Sequence, residues 1–268
     1  DVHVVDATWV MKGSPRNPRA EYEACHIPGA VFFDIDEIAD TSTSLPHMLP
    51  PPEKFSSRAR SLGLGAGTRI VIYDADGVSS AACRVWWMFR AFGHKDVAVL
   101  DGGLAKWKAE GRPVSDLPPV PRQRHFSSHT NHFLVRDTDQ VLANIDSRRE
   151  QVVDARATER FEGTVDEPWP NRRRGHIPGA LSVPFKWLLD DNQCFLPAEH
   201  IKAKFETAGV DLHKPITVSC GSGVTACVLA MSLYLLGRED VAVYDGSWAE
   251  WGLRDDLPVE LGSAKIAA

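Results

Sequence analysis

The residues best placed to do chemistry are Thr217-Val218-Ser219-Cys220-Gly221-Ser222-Gly223-Val224-Thr225-Ala226. A cysteine stands where a buried strand is expected to end, with Gly221 beside it and Gly223 two places later. Small residues let the backbone curl around the sulfur, so that the following N–H groups and the positive end of the next helix point at it. Such a setting favours the thiolate, whereas a reference thiol of pKa about 8.5 is only about 3% ionised at pH 7. A thiolate in a cup of N–H donors is an activated nucleophile, and the same cup would stabilise a persulfide. An arbitrary cysteine is more often a small buried hydrophobe. The strand, Cys-Gly-x-Gly and helix context reverses that preference for Cys220. A phosphatase reading is weak, because the guanidinium fork that grips phosphate would have to sit six places on, where Ala226 stands.

The other four cysteines, Cys25, Cys83, Cys194 and Cys227, read as packing residues. Cys83 and Cys227 fall on apolar helical patterns, and no pair makes a Cys-x-x-Cys. An odd count without such spacing fits neither a disulfide framework nor a zinc site. Free thiols imply a reducing compartment, most simply the cytoplasm. The first residues, Asp1-Val2-His3-Val4-Val5, lack the basic and apolar regions of a signal peptide, although the chain has no starting Met. No metal site and no cofactor-binding fingerprint is visible.

The elements that must hold Cys220 belong to a chain of 268 residues, 43% hydrophobic and 25% charged. That composition excludes a disordered or collagen-like chain. No apolar run reaches the ~18 residues of a membrane span. A net charge of -6 makes a nucleic-acid partner improbable. Eight tryptophans suggest well-filled cores.

The chain repeats itself. His26-Ile27-Pro28-Gly29-Ala30 returns as His176-Ile177-Pro178-Gly179-Ala180, 150 residues on. Asp96-Val97-Ala98-Val99 returns as Asp240-Val241-Ala242-Val243 after 144, and Val4-Val5-Asp6-Ala7 as Val152-Val153-Asp154-Ala155 after 148. Three matches in one order indicate a duplicated domain. Pro113, Pro118, Pro119 and Pro121 mark a semi-rigid linker over 113–129. The expected domains are therefore 1–112 and 130–268. In the second, short strands are expected at Gln151–Val153, Ala180–Val183, Ile216–Ser219 and Val241–Tyr244. They alternate with helices at Pro197–Ala208 and Val224–Leu236. Such alternation implies an α/β fold with a parallel sheet flanked by helices, and ligands bind beyond the carboxyl ends of such strands.

Two α/β halves with His-Ile-Pro-Gly-Ala in each, and a cysteine loop only in the second, resemble the tandem rhodanese-type sulfurtransferases over essentially the whole chain. The uncharged loop Cys220-Gly221-Ser222-Gly223-Val224-Thr225 is similar to that of 3-mercaptopyruvate sulfurtransferases, whereas thiosulfate sulfurtransferases typically follow the cysteine with basic residues. Phe32-Phe33-Asp34-Ile35-Asp36, His47-Met48-Leu49-Pro50, Val85-Trp86-Trp87-Met88-Phe89-Arg90 and Tyr244-Asp245-Gly246-Ser247-Trp248 agree as well. The first half carries Asp74 or Asp76 where Cys220 would sit, which makes it the non-catalytic domain.

The resemblance implies a Cys220 persulfide taken from 3-mercaptopyruvate, with release of pyruvate. The outer sulfur then passes to cyanide, a small thiol or a protein such as thioredoxin. It implies a proton relay of Ser222, His47 and Asp36 across the domain interface, and a donor cradled by Gly221, Gly223, Val224, Thr225 and Arg160. On sequence alone His47 is merely a loop histidine and Arg160 a helix-surface arginine. His26 and His176 read as structural. The family's second substrate arginine follows Glu-Pro, but here Glu167-Pro168 leads to Trp169. Arg172, Arg173 or Arg174 reaches in instead, or the substrate preference differs. The rival readings are a thiosulfate:cyanide sulfurtransferase and a non-catalytic sulfur-carrier or interaction module.

Overall fold

Apolar β-branched runs at strand spacing build two wholly parallel sheets in the computed structural model, which describes residues 1–77 and 80–265. The first unit comprises Asp1–Thr41, Leu49–Asn131 and Asp190–Phe195. Its strands β1 (Val2–Asp6), β2 (Val31–Phe32), β3 (Arg69–Tyr73) and β4 (Val97–Val99) lie in the order β2-β1-β3-β4. Val5 pairs with Val31 on one side and Ile72 on the other, so the centre of the sheet is apolar on both faces. Helix Ser80–Ala91 is buried along its length. Its Phe89 joins Phe55, Phe92 and Phe126 in one aromatic cluster, with Phe55 and Phe92 stacked 4.3 Å apart.

The second unit comprises Ser42–Met48, His132–Leu189 and Leu196 onward. Its strands β5 (Val135–Arg136), β6 (Gln151–Asp154), β7 (Leu181–Ser182), β8 (Ile216–Ser219) and β9 (Ala242–Tyr244) lie in the order β5-β9-β8-β6-β7. Central β8 is buried at every residue, with Val218 between Val153 and Val243. Helix Ala226–Leu235 is apolar all round, which suits an element enclosed by the core. Gly237, at φ 85°, closes it. The helix begins two residues later than expected, because Gly223 and the two residues after it form the turn out of the cysteine loop. Edge strand β5, too short to show alternation, was not anticipated.

The proline-rich stretch differs from the expected linker. His26 and Ser115 exchange backbone hydrogen bonds of 2.9 Å, Ala66 N–H donates to the His125 carbonyl, and Phe126 is buried. The stretch belongs to the first unit. The prolines prevent a regular strand, but the residues between them keep their N–H groups and strap the segment down. The unit bounds are also discontinuous, since Ser42–Met48 groups with the second unit and Asp190–Phe195 with the first. The tryptophans divide: Trp87, Trp248 and Trp251 are fully buried, while Trp187 is exposed. No helix among the described residues is long and apolar enough to cross a membrane.

Candidate active site

Cys220 is the first residue beyond β8, at the carboxyl end of the central strand, and is 1% exposed. Two backbone bonds tie its loop to helix Ser247–Trp251: Trp248 N–H donates to the Cys220 carbonyl at 2.9 Å and Ala249 N–H to the Gly221 carbonyl at 2.7 Å. Cys220 N–H donates to Ser247 Oγ at 3.2 Å, and that hydroxyl donates to the Tyr244 carbonyl at 2.8 Å. Ser247 adopts φ 49°, a left-handed conformation that costs a non-glycine residue about 1 kcal/mol or more. Gly223 takes φ 74° at no such cost. The N–H groups of Gly221, Ser222, Val224 and Thr225 find no acceptor among the described residues.

Ser222 Oγ lies 3.0 Å from His47 Nδ1, and both residues are buried. His47 itself sits at φ 59° and meets Trp169 edge-on, ring centroids 6.0 Å apart. Three residues far apart in the chain thus form a covered pair beside the nucleophile. Asp36 lies in the first turn of helix Ile35–Ile38 in the first unit, where its carboxylate accepts from Trp9 Nε1 at 2.9 Å.

An ion-paired group of two arginines and two carboxylates stands against the loop at Gly221. A Cβ added to Gly221 would come within 2.8 Å of Arg160 Nη2, so any other residue would push the guanidinium away from that backbone. Arg160 donates from Nε and Nη2 to Glu167. Glu167, almost wholly buried, also accepts from Arg156 Nη1 at 2.8 Å. Fully buried Arg156 forks onto Asp154, donates to the Gly175 carbonyl, and lies over the Trp248 ring at 4.4 Å. Burial opposes the Arg156 charge, but Asp154 and Glu167 overcome it and hold its pKa above the ordinary value.

The three consecutive arginines separate. Arg173 binds the carbonyls of Trp251, Arg254 and Leu257. Arg174 pairs with Asp166 on the surface. Arg172 is half-buried and bonds only carbonyls. The structure therefore brings Cys220, Gly221, Ser222, Gly223, Val224, Thr225, His47 and Arg160 together in the second unit. Sequence reasoning passed over Arg156, Glu167 and Ser247. The signal for Arg156 was its place two residues after a strand-ending aspartate, with a buried role open to it. Ser247 had only a glycine at the equivalent point of the first half to single it out.

Cys83 and Cys227 are fully buried and Cys25 and Cys194 half-buried, and none of the five cysteines is in a disulfide.

The rhodanese-like domain family matches residues 2–110 and again 137–254, and the chain belongs to this family. The chain is 45% identical to thiosulfate/3-mercaptopyruvate sulfurtransferase 2 of Arabidopsis thaliana, with 97% of this chain and 82% of that protein aligned. It is 45% identical to human 3-mercaptopyruvate sulfurtransferase over 94% and 86% of the two chains. Among solved structures, SseA of Escherichia coli, one of the 3-mercaptopyruvate sulfotransferases, superposes with TM-score 0.83 at 40% identity, covering 93% of each chain.

Proposed function

We propose that the chain transfers the sulfur of 3-mercaptopyruvate through a persulfide on Cys220 to a thiol or to cyanide. The observation that carries this reading is the uncharged loop itself. Cys220 is followed by N–H groups without an acceptor among the described residues, and the Ser222–His47 pair stands two residues on as the proton carrier. Thiosulfate, a dianion, calls for basic residues in the loop, while a thiol-bearing 2-oxo acid needs a proton relay.

In the first half-reaction the Cys220 thiolate attacks the donor sulfur. A Cys220–sulfur bond forms, the carbon–sulfur bond breaks, and its electron pair leaves as the enolate of pyruvate. Protonation of that enolate at C3 through Ser222 and His47 gives pyruvate. In the second half-reaction an acceptor thiolate attacks the outer sulfur and Cys220 leaves as thiolate. Thioredoxin or a small thiol would serve, and cyanide would leave as thiocyanate. This is double displacement on one nucleophile. Five cysteines outside any disulfide fit a reducing compartment, the cytoplasm being the simplest.

The Arabidopsis relative's double name keeps thiosulfate as the second donor to test. Treatment with 3-mercaptopyruvate should add one sulfur, about 32 Da, to the Cys220 peptide in the wild type and nothing in Cys220→Ser. Equal or faster loading by thiosulfate would reassign the donor. Loading that survives in Cys220→Ser would remove Cys220 from the reaction.

A further inference from the structure

A carboxylate substrate needs a cation whose charge is not already cancelled. Asp154, Arg156, Glu167 and Arg160 form one continuous ion-paired group, two guanidiniums against two carboxylates, with no net charge. Arg160 gives both Nε and Nη2 to Glu167. Arg174 is paired with Asp166, and Arg173 is committed to three carbonyls.

Arg172 shares with Arg173 the lack of a carboxylate, but unlike Arg173 it keeps one terminal nitrogen open. Its Nε donates to the Ala249 carbonyl at 2.9 Å and its Nη1 to the Pro170 carbonyl at 2.6 Å. Among the described residues no carboxylate pairs with it, and its Nη2 has no acceptor. Its half-buried charge lacks a counter-ion among the described residues, which an arriving anion would supply. Burial accordingly lowers its pKa from the ordinary value. Ala249 is also the residue whose N–H holds the Gly221 carbonyl, so Arg172 is anchored one residue from the Cys220 loop. Asn171, at φ 60°, folds the turn that lays the guanidinium there, a conformation asparagine tolerates better than most residues.

We propose that Arg172 receives the carboxylate of the sulfur donor through its open Nη2 edge. The inference rests on 3-mercaptopyruvate being that donor. Arg160 then contributes shape and hydrogen-bonding surface beside Gly221, and Arg172 the uncompensated charge. A guanidinium is suited to this because it can grip both carboxylate oxygens.

Steady-state kinetics on Arg172→Gln and Arg172→Lys, with 3-mercaptopyruvate and its methyl ester, test it. Gln keeps a donor for the two carbonyls without the charge, and Lys keeps the charge. The expected result is a KM for the acid raised about 10- to 100-fold in Arg172→Gln. Lys should recover much of this loss, kcat should move little, and the ester should be handled by all three proteins alike. A wild-type KM for the acid in Arg172→Gln overturns the inference, as does an equal loss for acid and ester, which would mark Arg172 as a clip for the turn. Absence of the 32 Da gain on wild-type Cys220 with 3-mercaptopyruvate overturns the donor assignment, and this inference with it.

Discussion

At the end of β8 the Cys220 carbonyl accepts from Trp248 N–H at 2.9 Å; at the end of β3 the Asp74 carbonyl accepts from Leu104 N–H at 3.0 Å. The two sheets thus hold the same backbone frame, and Asp74 rather than Asp76 is the counterpart of the nucleophile. Ser247 at φ 49° matches Gly103 at φ 55°. Phe161 stacks on His176 as Tyr22 stacks on His26, and each histidine Nδ1 binds the carbonyl of its aromatic partner. Beside these rings the charges reverse. Arg160 precedes Phe161 and is held by Glu167, whereas Glu21 precedes Tyr22 and is held by Arg16. Arg16 also grips Asp76 across a cavity of about 580 Å³ that Asp6, Thr8 and Cys25 help to line.

The comparison teaches that packing and backbone bonding survived duplication, while the chemistry rests on a few substitutions at strand ends. An acid at position 74 cannot accept sulfur, and a glutamate at position 21 repels an anionic donor. Retaining a serine in a left-handed conformation where the silent half has glycine is consistent with a duty for its hydroxyl under Cys220.

The largest effect should come from making the second loop copy the first. Cys220→Asp should lower sulfur transfer by about 10³-fold or more, measured as pyruvate release. A rate within tenfold of wild type would mean that the first unit is not silent. Next is the pair Arg156 and Thr8, which follow equivalent aspartates. Arg156→Met strands Asp154 and Glu167 without their cation and should cost about 3–5 kcal/mol in urea unfolding. Thr8→Val removes the hydroxyl bond to Asp6 and the acceptor of Ala75 N–H, and should cost about 2 kcal/mol. Similar losses would erase the distinction between the two strand ends. Ser247→Gly, which imposes the first unit's residue, exchanges two hydrogen bonds for relief of backbone cost. Stability should stay within about 1 kcal/mol, while kcat falls about tenfold through a looser Cys220. An unchanged kcat would make Ser247 purely structural.

The smallest effect concerns the stacked histidine. Burial holds the His176 pKa below its ordinary 6.5, with a counter-pull from Glu260 at 3.8 Å. The unfolded chain therefore takes up a proton before the folded one does, and stability is lost as pH falls below about 6.5. His176→Gln should flatten the stability profile between about pH 6.5 and 5. A slope as steep as wild type would place the acid sensitivity elsewhere.

Much of this was legible from residues alone. The duplication, the parallel α/β class and Cys220 all follow from short patterns in which local geometry and chemistry coincide. Helix and strand bounds shifted by a residue or two, because glycine turns and edge pairing set them. The proline run misled, since proline content reports what a segment cannot form and says nothing of what its neighbours bond. Arg160 was legible only through resemblance, and its partner Glu167 appeared as a landmark rather than a clamp.

The sequence by itself determined that there are two like halves, that one alone has a sulfur nucleophile, and that its loop is glycine-rich and uncharged. Those properties are local, written in consecutive residues. Tertiary structure alone decided that His47 reaches Ser222 across 175 positions, that Arg156 and Arg160 share Glu167, and that of three adjacent arginines only Arg174 meets a carboxylate among the described residues while Arg172 keeps an open Nη2. Hydrogen bonds and ion pairs act over about 3 Å of space, and sequence spacing does not record which distant side chains the packed core brings within that reach.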